Sequence, residues 1–223
     1  MSCLATVANK NAAETCGVDL TKQITWDSML EDGKKLHAEN PDYYYLNTDT
    51  KILCEYVLRP YLRQMTGESF IIDSEKKMSF TREQLVEVLT YIKDCYDGGV
   101  FEPAEDSATF KGQIHTNPKW MDGKFVFAYG PSSSINLLMD AVPEAECTVV
   151  QMPMAEDRVN DGFFADTPQY MTVNMNSEHV EEAVDFLNYF YNNAEAQETL
   201  KDVRSIPPTS TARQLCADKG LLN

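Results

Sequence analysis

Residues 123–138 read GKFVFAYGPSSSINLL. Phe125 to Tyr129 form a short apolar run with aromatic and β-branched members, the pattern of a buried strand. Gly130-Pro131 then breaks the run, Ser132, Ser133 and Ser134 follow, and an apolar helical pattern starts at Ile135. A buried strand that passes through small hydroxyl residues into a helix is a βα unit. Such a unit implies an α/β layer architecture.

The same alternation runs outward in both directions. ITWDSMLEDGKKLHAENP predicts a helix with Thr25 as N-cap, Asp27 in its first turn, Trp26, Met29, Leu30 and Leu36 on one face, and Pro41 beyond its end. DTKILCEYVLRPYLRQMTG predicts a second helix, with Ile52, Leu53, Tyr56, Val57 and Leu62 inward, a kink at Pro60 and a stop at Gly67. SFIID predicts a short strand. FTREQLVEVLTYIKDCYDGG is a strongly patterned helix with a Thr81–Gln84 capping box, an inward stripe of Leu85, Val88, Leu89, Ile92 and Tyr96, and Gly98-Gly99 at its end. Val100 to Thr116 lacks periodicity and reads as a polar loop. Asn117 then caps a turn that has Pro118 at its first helical position.

Beyond the serines, CTVVQMP and QYMTVN predict strands separated by a loop. NSEHVEEAVDFLNYFYNN predicts an amphipathic helix with Val180, Ala183, Val184, Leu187 and Phe190 inward. AEAQETLKDV continues helical, SIPP breaks it, and a last helix starts near Ser210.

Composition bounds the function. The 223 residues allow a sizeable core, at 43% hydrophobic and 24% charged residues. The net charge of −16 disfavours nucleic acid and anionic lipid as partners. No apolar stretch is long enough to span a membrane, and MSCLATVANKN lacks the pattern of a secretory signal. Cys3, Cys16, Cys54, Cys95, Cys147 and Cys216 are scattered, which predicts reduced thiols rather than a disulfide scaffold. His37, His115 and His179 have no metal-ligand spacing, so neither metal nor cofactor is expected. Glycine-rich phosphate loops and a Gly-x-Ser-x-Gly elbow are missing. Glu102, Glu105 and Asp106 cluster in a loop. They are either paired acids for glycoside cleavage or a solvated acidic face.

The order of motifs resembles that of extracellular solute-binding proteins of sugar-type ABC transporters. VANKNAAETCGVDL is similar to that family's approach segment, and ITWDSMLEDGKKL to its Thr-Trp-Asp helix start. NPKWMDGKFVFAYGPSSS resembles its Gly-Lys strand and following turn. NMNSEHVEEAVDFLNYFYNNAEAQETL is similar to its late helix pair, and RSIPPTSTA to its closing turn. Ser28 stands where an acidic residue is usual, and Pro131-Ser132 where Ser-Trp is common.

The resemblance implies a periplasmic-binding-protein-like carboxy-terminal lobe, with most of an amino-terminal lobe lacking. Residues 1–160 are expected to form the ligand-binding lobe and residues 161–223 a hinge crossover with helices that pack on the other lobe. Segments near Lys10 and Val150 are expected to lie side by side as hinge strands.

The same resemblance implies a non-enzymatic receptor, an importer permease as partner and an extracellular, membrane-anchored or periplasmic lipoprotein. It also implies a sugar held in an interlobe cleft. The cleft contacts it suggests are Tyr129, Ser132, Ser133, Ser134, Asn47, Asp49, Phe163, Phe164, Asp166 and Arg204. The plainer readings are a turn and helix cap for the serine segment, a strand plus N-cap for PDYYYLNTDT, which holds Asn47 and Asp49, core for Phe163 and Phe164, and pairing with an acid for Arg204. Other readings are a receptor of the same fold for a non-sugar ligand such as a polyamine, and a carbohydrate-active enzyme. The isolated chain is expected to bind sugar weakly and to self-associate through the helix after Glu178.

Overall fold

The computed structural model describes residues 2–163, 165–166, 171–201 and 207–222. The chain divides into two compact units. The larger holds Leu4–Pro131 and Ile135–Phe164; the smaller holds Met1–Cys3, Ser132–Ser134 and Ala165–Asn223.

In the larger unit the central strand is β1 (Ser2–Asn9), which continues from the smaller unit. β1 pairs antiparallel with β5 (Phe125–Pro131) on one side, with Thr6 opposite Tyr129. On the other side it pairs antiparallel with β6 (Cys147–Val150), with Thr6 opposite Val150. β2 (Tyr44–Asn47) adds to the far edge of β5 in parallel, so the order is β2-β5-β1-β6. The pairing continues where the Lys10 amide donates to the Glu146 carbonyl. The segments near Lys10 and Val150 are therefore adjacent, as expected.

Local signals set the helices. α1 (Lys10–Thr15) starts at Asn9, whose side chain accepts the Ala12 amide. α2 (Trp26–Glu39) carries a full capping box: Thr25 Oγ1 accepts the Ser28 amide and Ser28 Oγ accepts the Thr25 amide. Ser28, the departure from the resembled pattern, thus does the reciprocal work of the missing acid.

α3 (Thr50–Ile52) runs through a π-helical stretch, Leu53–Leu58, into α4 (Arg59–Thr66). Pro60 cannot donate to the Tyr56 carbonyl, and the widened turn lies just upstream of it. Gly67 closes α4 at φ +80°, a conformation that favours glycine. The expected inward face, Ile52, Leu53, Tyr56, Val57 and Leu62, is buried.

SFIID shrinks to β3 (Ile71–Ile72), paired only with β4 (Lys77–Met78) in a small hairpin. α5 (Arg82–Asp97) has the Thr81–Gln84 capping box. Its buried stripe is Val88, Tyr91 and Cys95, and Leu89 is exposed. The stripe rotates from the expected one because Tyr91 reaches Trp26: its hydroxyl donates to the Trp26 carbonyl at 2.9 Å.

The segment read as a polar loop is ordered locally. Phe101 bridges Leu46, and Val100, Phe101 and Glu102 are buried. α6 (Ala104–Ser107) and two 3-10 turns, Ala108–Phe110 and Ile114–Thr116, follow. Asn117 caps α7 (Pro118–Met121), as expected. α8 (Ile135–Asp140) follows the serine turn, and its Leu138 carbonyl accepts the Trp120 indole N–H at 2.9 Å. Trp26 and Trp120 are both core residues.

In the smaller unit, Ser2 and Cys3 of β1 pair with β7 (Ala165–Asp166). Met171 to Asn174 carry no strand, which removes the described part of the expected QYMTVN strand. α9 (Val180–Asn192), α10 (Ala194–Leu200) and α11 (Ser210–Asp218) pack on one another. α9 has no fully buried residue, and Val184, Phe186 and Tyr189 are each exposed by 46% or more.

Candidate functional site

The site expected from the sequence separates into residues with structural roles and residues left accessible. Tyr129 is a correction. It was expected on an open surface, yet it is only 3% exposed, because β5 is an interior strand covered on both faces. Its hydroxyl points to the Met29 sulfur at 3.7 Å and its ring lies 6.4 Å from Tyr56. Burial, reinforced by Tyr45 and Cys95, pushes its pKa well above the ordinary phenol value.

Asn47 and Asp49 are also fully buried. Asn47 Nδ2 donates to the Ile114 carbonyl at 2.9 Å. Asp49 Oδ1 accepts the Lys51 and Ile52 amides, capping α3, and Oδ2 accepts the Gly112 amide at 2.6 Å. One carboxylate thus fixes a helix start and the loop 63 residues further on. Both residues hold the end of β2 in place, which matches the strand-plus-cap reading of PDYYYLNTDT.

Ser132–Ser134 form a single 3-10 turn and are half-buried. Ser132 Oγ accepts the Cys3 amide at 3.2 Å, which ties the turn to the start of β1. Cys3 in turn faces Ala165, and Ser2 faces Asp166, across the β1–β7 pair. Three distant parts of the chain therefore meet within the smaller unit: residues 2–3, 132–134 and 165–166. Phe163, in the larger unit, is 49% exposed. Phe164 and Arg204 lie outside the described residues, and of Asp166 only the backbone is described.

The acidic cluster splits: Glu105 and Asp106 are exposed, as in the solvated reading, whereas Glu102 is buried and fully engaged. Glu102 is 1% exposed and accepts from Asn117 Nδ2 and from Lys119 Nζ at 3.0 Å. Lys119 also meets Asp106 at 3.3 Å. Lys119 sits above its ordinary pKa: partial burial pulls it down, and hydrogen bonding and attraction to Glu102 outweigh that.

Sequence reading missed the hub of the larger unit. Gln64 is completely buried on α4. Its Oε1 accepts the Trp26 indole N–H and the Ala155 amide, each at 2.7 Å. Its Nε2 donates to the Pro153 carbonyl at 2.9 Å and the Asp161 carbonyl at 3.2 Å. Gly162 packs so closely here that a Cβ would fall 2.6 Å from the Pro60 carbonyl oxygen. The only sequence signal was its i+4 spacing from Pro60 on the inward face. All six cysteines are free, and no cluster of three or more His, Cys, Asp or Glu suited to a metal occurs among the described residues.

A mixed sheet with helices on its faces, entered and left by several chain crossings, is the periplasmic-binding-protein-like architecture. Residues 3–219 match the family model described as bacterial extracellular solute-binding protein, and the chain belongs to that family.

Solved structures of the same fold include a periplasmic solute-binding protein from Pectobacterium atrosepticum, at 20% identity and a TM-score of 0.88. Another is a periplasmic oligogalacturonide-binding protein from Yersinia enterocolitica in complex with saturated digalacturonic acid, at 23% identity and a TM-score of 0.87. Each match covers 100% of this chain and 55% of the other. A cyclic alpha-maltosyl-1,6-maltose binding protein from Arthrobacter globiformis matches at 20% identity and a TM-score of 0.63, over 97% of this chain and 55% of that one. The chain thus spans little more than half the length of these proteins. No curated protein matches it.

Proposed function

We propose that the complete protein is the substrate-binding component of an ABC importer, a non-enzymatic lipoprotein outside the cytoplasmic membrane. It takes a sugar or oligosaccharide into a cleft between two lobes and hands it to a permease. The observation that carries this reading is the family match over residues 3–219. It is supported by the two structural neighbours named for oligogalacturonide and maltosyl-maltose binding.

In this reading Ser132, Ser133 and Ser134 are the wall groups for sugar hydroxyls, since a hydroxyl both donates and accepts. Phe163, with Phe164, Asp166 and Arg204, supplies an apolar face and charge. Asn47 and Asp49 hold the end of β2 within the larger unit. Closure of both lobes on the ligand excludes water and supplies the affinity.

A second reading, a receptor for an organic cation such as a polyamine, is favoured by the net charge of −16. Calorimetry on the complete protein separates the two. Saturable binding of a galacturonide or maltooligosaccharide at micromolar level, with no response to spermidine, supports the sugar reading. The reverse pattern overturns it.

A further inference from the structure

Tyr45 of β2 is 2% exposed, and its ring lies 5.0 Å from that of Phe127. Its Cβ end is closed by α2: a Cβ at Gly33 would fall 3.1 Å from the Tyr45 Cβ. Among the described residues no group hydrogen-bonds the Tyr45 hydroxyl, and yet that hydroxyl is not sealed. The unpaired side-chain polar atoms that are sealed from solvent are Thr6 Oγ1, Asn9 Nδ2, Asn47 Oδ1 and Arg63 Nε. The Tyr45 hydroxyl therefore opens to solvent, through a pocket that Tyr45 lines.

A phenol this deeply buried usually has a hydrogen-bond partner. Burial, and after it the nearby Asp32 carboxylate, hold the Tyr45 pKa well above the ordinary phenol value. The hydroxyl thus keeps its proton and remains a donor at neutral pH.

The pocket has a volume of about 220 Å³ and lies between α2 and the loop after α1. That is below the range for drug-sized ligands and suits a molecule of amino-acid size. Ile24 and Leu36, both buried, and half-buried Val18 give it an apolar wall. Asp32, Lys35 and Glu39 line it from α2, at spacings of three and four residues that put them on one face. None of the three makes an ion pair, although those spacings allow Asp32–Lys35 and Lys35–Glu39 contacts. The other two charges of the lining, Asp19 and Lys22, pair with each other at 3.6 Å. One unpaired cation and two unpaired anions thus share the pocket with an unpartnered hydroxyl. A purely cationic ligand is repelled by Lys35, and a purely anionic one by Asp32 and Glu39; a ligand with both charges complements all three.

We infer that this pocket binds a compact zwitterion with an apolar body, of the α-amino-acid class. The ligand's carboxylate accepts from the Tyr45 hydroxyl and the Lys35 ammonium. Its own ammonium faces Asp32 and Glu39, and its carbon body lies on Val18, Ile24 and Leu36. The pocket shares no residue with the serine turn, so this site is additional to the proposed sugar site.

The test is NMR titration of the Tyr45 ring in the 223-residue chain with L-valine. Valinamide, which keeps only the cation, and isovalerate, which keeps only the anion, are its counterparts. A saturable shift is expected with valine, with each counterpart binding at least tenfold more weakly. Tyr45→Phe removes a hydroxyl that no protein group holds, so the fold should stand. It should weaken valine binding about tenfold, read from the Val18 and Ile24 methyl signals. The double variant Asp32→Asn/Lys35→Gln changes only exposed side chains and keeps the phenol. It should bring valine down to the level of its counterparts. A Tyr45 ring unmoved by valine, valinamide binding as tightly as valine, or valine binding unchanged in either variant overturns the proposal. So does a crystal structure grown with valine in which the Tyr45 hydroxyl meets only ordered water. Sugar binding at the serine turn is read separately, from Ser132→Ala, so failure of one site leaves the other's result intact.

Discussion

Gln64 Oε1 accepts the indole N–H of Trp26 at 2.7 Å, inside a core where neither side chain reaches solvent. The same amide holds Ala155, Pro153 and Asp161, so one side chain welds α2, α4 and the segment 153–161 together. Gln64→Leu conserves bulk but strands the Trp26 and Ala155 donors and two carbonyls. An orphaned buried polar group costs ~1–3 kcal/mol, and relaxation recovers part of the sum. A loss of about 3 kcal/mol or more is expected in urea denaturation. A midpoint unchanged from the parent chain would show that the hub contributes little.

A cluster of buried acids predicts alkaline instability. Burial pushes the Cys95 thiol up to about 12. Burial, with Glu87, Asp27 and Asp157 nearby, pushes Tyr61 to about 12. Tyr91 and Tyr129 also lie well above the ordinary value, chiefly through burial. These groups become charged when they lose a proton, and the unfolded chain loses it first, at ~8.5 for a thiol and ~10 for a phenol. The stabilisation is therefore complete below the unfolded values and lost as pH rises from there through the folded ones. Stability should be level up to about pH 8.5 and then fall, by ~1.4 kcal/mol per pH unit for each proton released on unfolding. Tyrosinate absorbance and circular dichroism should change together for the buried phenols. Tyrosinate signal from all the phenols ahead of unfolding would contradict this.

The helix starts were legible because their causes are local: Thr25, Thr81 and Asn117 cap within three residues of themselves. Gly67 and the β5 run were legible for the same reason. The hidden features depend on partners far along the chain. β1 was expected only through the resemblance, as a hinge strand near Lys10, because its strand character is settled by residues 125–131 and 147–150. Tyr129 suited a cleft by chemistry, and only the strand order places it inside. Glu102 and Gln64 look like surface residues until Lys119, Asn117, Trp26 and Ala155 are brought to them. At the site, the serine turn was found, whereas its bond to Cys3 spans 129 residues and leaves no local mark.

The contrast between Tyr129 and the serines gives a paired test in the complete protein. Tyr129→Phe removes a hydroxyl whose one described contact is a sulfur, and should leave sugar affinity within about twofold, because the ring is core. Tyr129→Ala should cost ~3–5 kcal/mol of stability through the cavity it leaves. Ser134→Ala removes a half-buried hydroxyl from the proposed wall. It should weaken sugar binding several-fold, since a neutral hydrogen bond is worth ~0.5–1.5 kcal/mol. Loss of affinity in Tyr129→Phe with none in Ser134→Ala would invert the assignment.

α9 carries the last prediction. Val184, Phe186 and Tyr189 are exposed by 51%, 59% and 46%, and no residue of the helix is fully buried. An apolar helix face of this kind tends to be covered by another protein surface, and in a solution of this chain alone the available surface is a second copy. The face is flanked by Glu181, Glu182 and Asp185, so like charges oppose the contact and salt should strengthen it. Light scattering should therefore show a mass that rises with protein concentration and with ionic strength. Phe186→Glu adds a charge at an exposed position and should return the chain to a monomer with little change in stability. A monomer at every concentration and salt level would show that α9 is tolerated in water as it stands. Association unaffected by Phe186→Glu would place the contact on another face.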